Sequence, residues 1–332
     1  MLQIIWFVLV GVLLAGYAVL DGYDLGAGAL YPFVAKTEEE RAVVRHAIGP
    51  WWDANEVWLL TGGGALFAAF PPVYATVFSG FYLALMLVLW SLIFRAVSIE
   101  FRGRDPQWAH VWDTGFFLGS ALPALLFGVA AGNIVRGVPL AANGEYAGTF
   151  FTLLNPYALV AGVTGLALFV THGANWLTLT SSLDSVRDRT RGIARAGAGV
   201  SAALVLVLAA ATAALVPRAF QATIGSVFGW LFGLVALGGI GLAIYATRRR
   251  QDFLAVAGTG TTFIGLIGLM ASAIFPALVP ALTGSAGQAL TITNSSSSQL
   301  TLTVMLIIAL IGVPIMLVYT GIVYWRMGVR AY

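Results

Sequence analysis

No cysteine occurs anywhere in these 332 residues. That excludes disulfides, iron–sulfur clusters and covalently attached haem, all of which need sulfur ligands or attachment points. Histidine is nearly as scarce: only His46, His110 and His172 are present. Asp, Glu, Lys and Arg together make up 9% of the chain, against about 25% in an ordinary soluble domain. There is also no phosphate-binding glycine loop, no metal-spaced histidine pair and no nucleophile with a base at readable spacing.

What the chain has in abundance is apolar length. Hydrophobic residues reach 59% and the mean hydropathy is +0.90, so the class is an all-α polytopic membrane protein. Nine segments are apolar and long enough to span, at 4–33, 51–70, 74–97, 111–132, 155–180, 196–216, 223–246, 254–279 and 301–325. The second is the weakest, because Asp53, Asn55, Glu56 and three consecutive glycines make it poor against lipid. The whole of 1–332 reads as one transmembrane domain. The N-terminus lacks a positive flank and a small-residue cleavage site, which predicts a retained helix.

Fifteen of the seventeen Lys and Arg fall in alternate loops and the C-terminal tail, leaving Arg136 and Arg218 on the other side. This asymmetry predicts an outside N-terminus and a cytoplasmic C-terminus, and it explains the net charge of +3 without nucleic acid. The run Asn294–Ser298 reads as a flexible outward linker. Glycines at every fourth position (Gly22 and Gly26; Gly225, Gly229 and Gly233) read as close helix packing.

The few acids at membrane depth are the functional candidates, because a buried charge faces protein or a water path. Asp21 and Asp24 lie near the end of the first segment, and Asp53 and Glu56 near the start of the second. Each pair is spaced i, i+3 and shares a helix face. The predicted topology brings four carboxyls to one depth, as a proton relay requires; the bland alternative is pairing with Lys36, Arg41 or Arg45. Glu100, flanked by Arg95 and Arg102, reads first as part of an interfacial anchor and second as the mouth of a proton inlet. His172 alone lies at membrane depth, and a lone buried histidine reads as hydrogen-bonded filler. Met86, Met270, Met305 and Met316 read as packing. Trp51, Trp52 and Trp58 read as an aromatic belt. A proton- or cation-coupled transporter would show similar acids and interrupted helices, although the chain shows no internal repeat.

Several stretches resemble subunit II of the cytochrome bd quinol oxidases. They are 16–28 around Asp21-Gly-Tyr-Asp24, 49–58 around Trp-Trp-Asp53-Ala-Asn-Glu56, the glycine-rich 63–71, 94–102 around Arg95 and Glu100, and Ser298-Gln-Leu-Thr-Leu302. The resemblance implies two four-helix bundles plus one peripheral helix, in a bacterial cytoplasmic (inner) membrane. It implies a partner, subunit I, carrying two b-type haems and one d-type haem, and no haem in this chain. That complex oxidises quinol and reduces dioxygen to water with cytoplasmic protons. A small single-helix accessory subunit and a structural quinone or lipid are further expectations. In the family, the aspartate matching Asp53 is proposed to line the proton path, and Asp24 matches a neighbouring acid. Glu56 stands where some members have Gln, and His172 where some carry a non-ionisable residue. The outward loop near 216–223 is shorter than in some members.

Overall fold

The computed structural model describes residues 1–327, with side-chain surroundings to residue 322. Arg330, the chain end and the side chain of Arg326, all used in the charge asymmetry, lie outside the described residues. In hydrocarbon every backbone N–H and C=O must be satisfied within its own segment, so the apolar runs form helices. Eight are long and apolar enough to cross a membrane: α1 (Leu2–Val34), α5 (Tyr82–Phe101), α6 (Ala109–Arg136), α7 (Pro156–Thr180), α8 (Asp184–Leu215), α10 (Val227–Arg249), α11 (Asp252–Ile274) and α12 (Gln299–Met327). The segment predicted at 51–70 is α3 (Trp52–Ala69), which is not among the eight.

Several predicted boundaries move for identifiable reasons. Segment 74–97 is two helices, α4 (Pro71–Gly80) and α5, with Phe81 at the break. Pro71 and Pro72 start α4, where a missing N–H costs nothing. The helix of segment 196–216 begins twelve residues earlier, at Asp184, because the arginine-rich stretch before it also favours helix. The loop near 216–223 is the short helix α9 (Pro217–Ile224), and Gly225 sits in the turn before α10 rather than on a helix face. Segment 254–279 ends as helix at Ile274, since Pro276 cannot continue the ladder. Ala277–Val279 instead forms β1, antiparallel to β2 (Leu290–Thr291).

The serine run is pinned, not flexible. Ser297 donates through its backbone N–H to Ala69 O at 2.9 Å and through Oγ to Ala68 O at 2.6 Å. Ser298 Oγ accepts the Thr301 N–H and caps α12.

Helix α1 is central, packing on α3, α6 and α7. A Cβ on Gly26 would lie 1.9 Å from Phe169 O, so the α1–α7 approach at that point requires glycine. Beyond the α10–α11 pair, α11 also reaches α7 and α1. Among the described residues helix α12 touches only α1 and α3 in strength, and 6% of its span window is buried. The tryptophans depart from the belt expectation: Trp51 and Trp58 are buried, Trp58 against Gly16 of α1.

Residues Glu38–Ile48, outside every predicted span, form α2. The signal was in the sequence: Thr37 and Glu40 make a reciprocal capping box, with three acids in the first turn. Glu40 is buried and fastens α2 to α8, accepting from Ser185 Oγ at 2.6 Å and from the Arg189 guanidinium. The Ser185 bond, reinforced by backbone N–H groups and Arg189, lowers the Glu40 carboxyl from 4.5 to about 2. A depressed carboxylate stabilises above its unfolded value, and that stability is lost as pH falls toward the folded one. Amide exchange in α2 of the intact complex, taken relative to the intrinsic rate at each pH, is therefore expected to accelerate as pH falls from 5 to 2. In Glu40→Gln it is expected to be fast already at neutral pH; unchanged exchange in that variant would refute the fastening role.

Candidate functional site: a buried charge cluster

Asp21 and Asp24 are both fully buried on α1. Arg95 of α5, also fully buried, grips Asp21 with a two-pronged contact: Nη1 donates to Oδ2 at 3.1 Å and Nη2 to Oδ1 at 2.8 Å. Nη2 also donates to Glu56 Oε2 of α3 at 3.3 Å. Asn55, one residue before Glu56, donates from Nδ2 to Asp24 Oδ2 at 2.8 Å and to the Tyr23 hydroxyl at 2.7 Å. Three helices thus converge on one polar knot inside an apolar bundle. Gly119 of α6 lets α5 approach at this level, since a Cβ there would stand 2.8 Å from Arg95 N.

The knot is incompletely bonded. Asp24 Oδ1, Arg95 Nε and the Tyr17 hydroxyl are buried with no hydrogen-bond partner among the described residues. Buried polar atoms normally find partners, so these three call for a water, an ion or a functional role.

The structure brings together three of the four predicted acids, Asp21, Asp24 and Glu56, and leaves the fourth beside them. Asp53 is exposed on the first turn of α3, one helical turn before Glu56. The expected alternative partners of these acids are engaged elsewhere. Lys36 donates to Pro32 O, Arg41 pairs with Glu38 and Asp113, and Arg45 donates to the Tyr31 hydroxyl. Arg95 itself corrects the anchor reading: it turns inward, away from Glu100. Arg102 likewise binds Asp113 and Glu38. Glu100, half exposed, keeps only a 4.0 Å contact with Arg104. An arginine inside an otherwise apolar run was the signal for Arg95, because such a charge must find an intramembrane partner.

His172 is fully buried on α7 with both ring nitrogens engaged. Nε2 meets Val19 O at 2.9 Å and Nδ1 meets Thr259 Oγ1 at 2.6 Å. A carbonyl only accepts, so Nε2 donates to Val19 O, while Nδ1 shares its bond with the Thr259 hydroxyl. This arrangement does not fit haem ligation, since neither nitrogen is left for iron. Among the described residues no group of three or more His, Cys, Asp or Glu is placed to hold a metal.

A family model described as "Cytochrome bd terminal oxidase subunit II" matches residues 2–327. The chain belongs to that family. It is 40% identical over 358 residues to a "Probable cytochrome oxidase subunit 2" of Haemophilus influenzae, covering 98% of this chain and 94% of that one. It is 38% identical over 362 residues, with the same coverage, to "Cytochrome bd-I ubiquinol oxidase subunit 2" of Escherichia coli K12. In fold it is similar to the bd oxidase structure from Geobacillus thermodenitrificans, at a TM-score of 0.80, 14% identity and 98% coverage of both chains. The family chain is thus a multi-pass membrane subunit of a respiratory oxidoreductase complex, and the transporter alternative loses its support.

Proposed function

We propose that this chain is the haem-free subunit of a cytochrome bd quinol:dioxygen oxidoreductase, supporting subunit I and carrying protons toward it. The observation that carries the reading is the knot of Asp21, Asp24, Glu56 and Arg95 at the junction of α1, α3 and α5. It holds three carboxyls around one guanidinium, more acid groups than the single cation pairs with. Asp53 takes protons from the cytoplasmic side, Glu56 lies one turn further in, and Asp24 offers an unpartnered oxygen beyond it. Glu100 is the outermost and weakest member of the set.

The accompanying architecture is nine spans, counting α3, arranged as two four-helix bundles and a peripheral α12 in one domain over 1–332. The N-terminus is outside and the C-terminus cytoplasmic, in the bacterial inner membrane. The haems, two of b type and one of d type, belong to subunit I; the saturated ring of His172 supports this. Quinol and dioxygen react there, and this chain meets them through the complex. A small single-helix subunit and a structural quinone or lipid complete the assembly.

The test is Asp53→Asn in the intact complex. Oxygen consumption is expected to fall about tenfold or more, less than the ~100-fold or larger loss for an enclosed proton-transfer group because water reaches the exposed Asp53 site, with the haem spectrum intact. Full turnover at normal haem content would end the relay reading for Asp53, and haem loss would make the residue structural.

A further inference from the structure

Seven arginines crowd the end of the bundle where α8 begins and α10 ends, and they fall into two sets. Arg187, Arg189 and Arg191 each hold a carboxylate, on Asp184, Glu40 and Asp252 respectively. Arg195, Arg248, Arg249 and Arg250 are exposed and make no ion pair among the described residues. The Arg191–Asp252 bond, at 3.0 Å, seats α8 beside the start of α11, two residues past Arg250. Arg195 is one turn along α8 from Arg191, so the four unpaired guanidinium groups share one rim.

The rim lies at a membrane boundary. No charged residue occurs from 196 to 217 after Arg195, or from 219 to 247 before Arg248. Helix α8 has 32 residues, which at 1.5 Å each is about 48 Å, against roughly 30 Å of hydrocarbon. Its first turns therefore project past the apolar slab and leave Arg195 at the interface.

Arg250 is the only non-glycine residue with positive φ among those described, at φ 58° and ψ 34°. It terminates α10 in a conformation that glycine adopts freely and arginine resists. The turn by itself gives no reason for a guanidinium there. Below the rim, Leu234, Gly238, Gly241 and Tyr245 form an exposed stripe on α10. A Cβ on either glycine would meet nothing within 4 Å, so between Leu234 and Tyr245 the stripe is open and bare of side chains at these two positions. Arg249 lies over the Tyr245 ring at 5.8 Å, roofing it.

We propose that this rim is a binding site for an anionic phospholipid of the inner leaflet. The unpaired guanidinium groups take the phosphodiester, for which a planar fork of donors is well matched. The bare surface at Gly238 and Gly241 takes the upper part of an acyl chain. Charge complementarity selects this occupant: Asp252, the nearest carboxylate in sequence, is already held by Arg191.

The experiment is native mass spectrometry of the intact, delipidated complex titrated with phosphatidylglycerol or with phosphatidylcholine of the same chains. The wild type is expected to retain phosphatidylglycerol preferentially. Arg250→Gly is expected to weaken that retention about fivefold, the scale of one interfacial arginine, while the melting midpoint stays level or rises. Arg248→Gln/Arg249→Gln/Arg250→Gly is expected to abolish the preference and leave phosphatidylcholine unaffected. Equal retention of both lipids by the wild type would overturn the proposal, as would a preference that survives the triple variant. Loss of an acidic protein subunit in place of lipid would overturn it too. Should the triple variant fail to assemble, Arg250→Gly decides alone, because it relieves the backbone rather than straining it.

Discussion

Arg95→Leu is expected to cost the complex about 3–5 kcal/mol, the penalty for leaving a buried carboxylate without its partner. Asp21 has no exposure and takes both oxygens' bonds from this one guanidinium. With Arg95 gone, neither the nearby apolar side chains nor the occupied Arg41 and Arg45 can replace it. The measurement is the melting midpoint and yield of the purified complex, with haem content as a check on subunit I. Replacing both partners is a different matter, because the penalty lies in the orphaned charge and not in the lost attraction. Asp21→Asn/Arg95→Leu is therefore expected to recover much of the yield that Arg95→Leu loses. A single variant as stable as the wild type would show that the pair does not hold α1 to α5.

The second large effect is on turnover. Asp24→Asn is nearly isosteric, and its side-chain oxygen still accepts from Asn55, so α1 and α3 keep their contact. What disappears is the ability of a fully buried carboxyl to take up and release a proton through Oδ1, the oxygen with no partner among the described residues. Quinol-driven oxygen consumption is expected to fall by about two orders of magnitude, within the usual range for removing a proton-transfer group. The melting midpoint and the haem spectrum should stay in place. Arg95→Leu and Asp24→Asn thus separate the two roles of the knot, one lost in stability and the other in rate. Wild-type turnover in Asp24→Asn would move the proton route elsewhere in the complex.

Asp21, Asp24, Asp53 and Glu56 were recognisable as candidates from sequence because an ionisable residue next to a long apolar run is costly wherever it packs. The positions of the long helices were recognisable for the related reason that hydrocarbon leaves an isolated segment few alternatives to helix. Local signals also existed for features the hydropathy pattern passes over: the Thr37–Glu40 capping box announces α2, and Pro276 announces the end of α11. Hydropathy averages over a window and is blind to such single-residue stops. It therefore runs 74–97 together across the break at Phe81 and carries 254–279 into a strand.

The amino-acid sequence by itself determined the class of protein, the places where helices form and the short set of acids worth testing. Each of these follows from the solvation of a segment or a side chain, which depends on its own composition. Partnership was decided only by the tertiary structure. Arg95 is five residues from Glu100 and 74 from Asp21, yet it binds Asp21, because the approach of α5 to α1 and the facing of their side chains settle which charges meet. The same packing buries Asp24 beside Asn55, leaves Asp53 on the surface and closes both nitrogens of His172. Charge pairing in a bundle is a property of which helix faces touch, and no single helix contains that information.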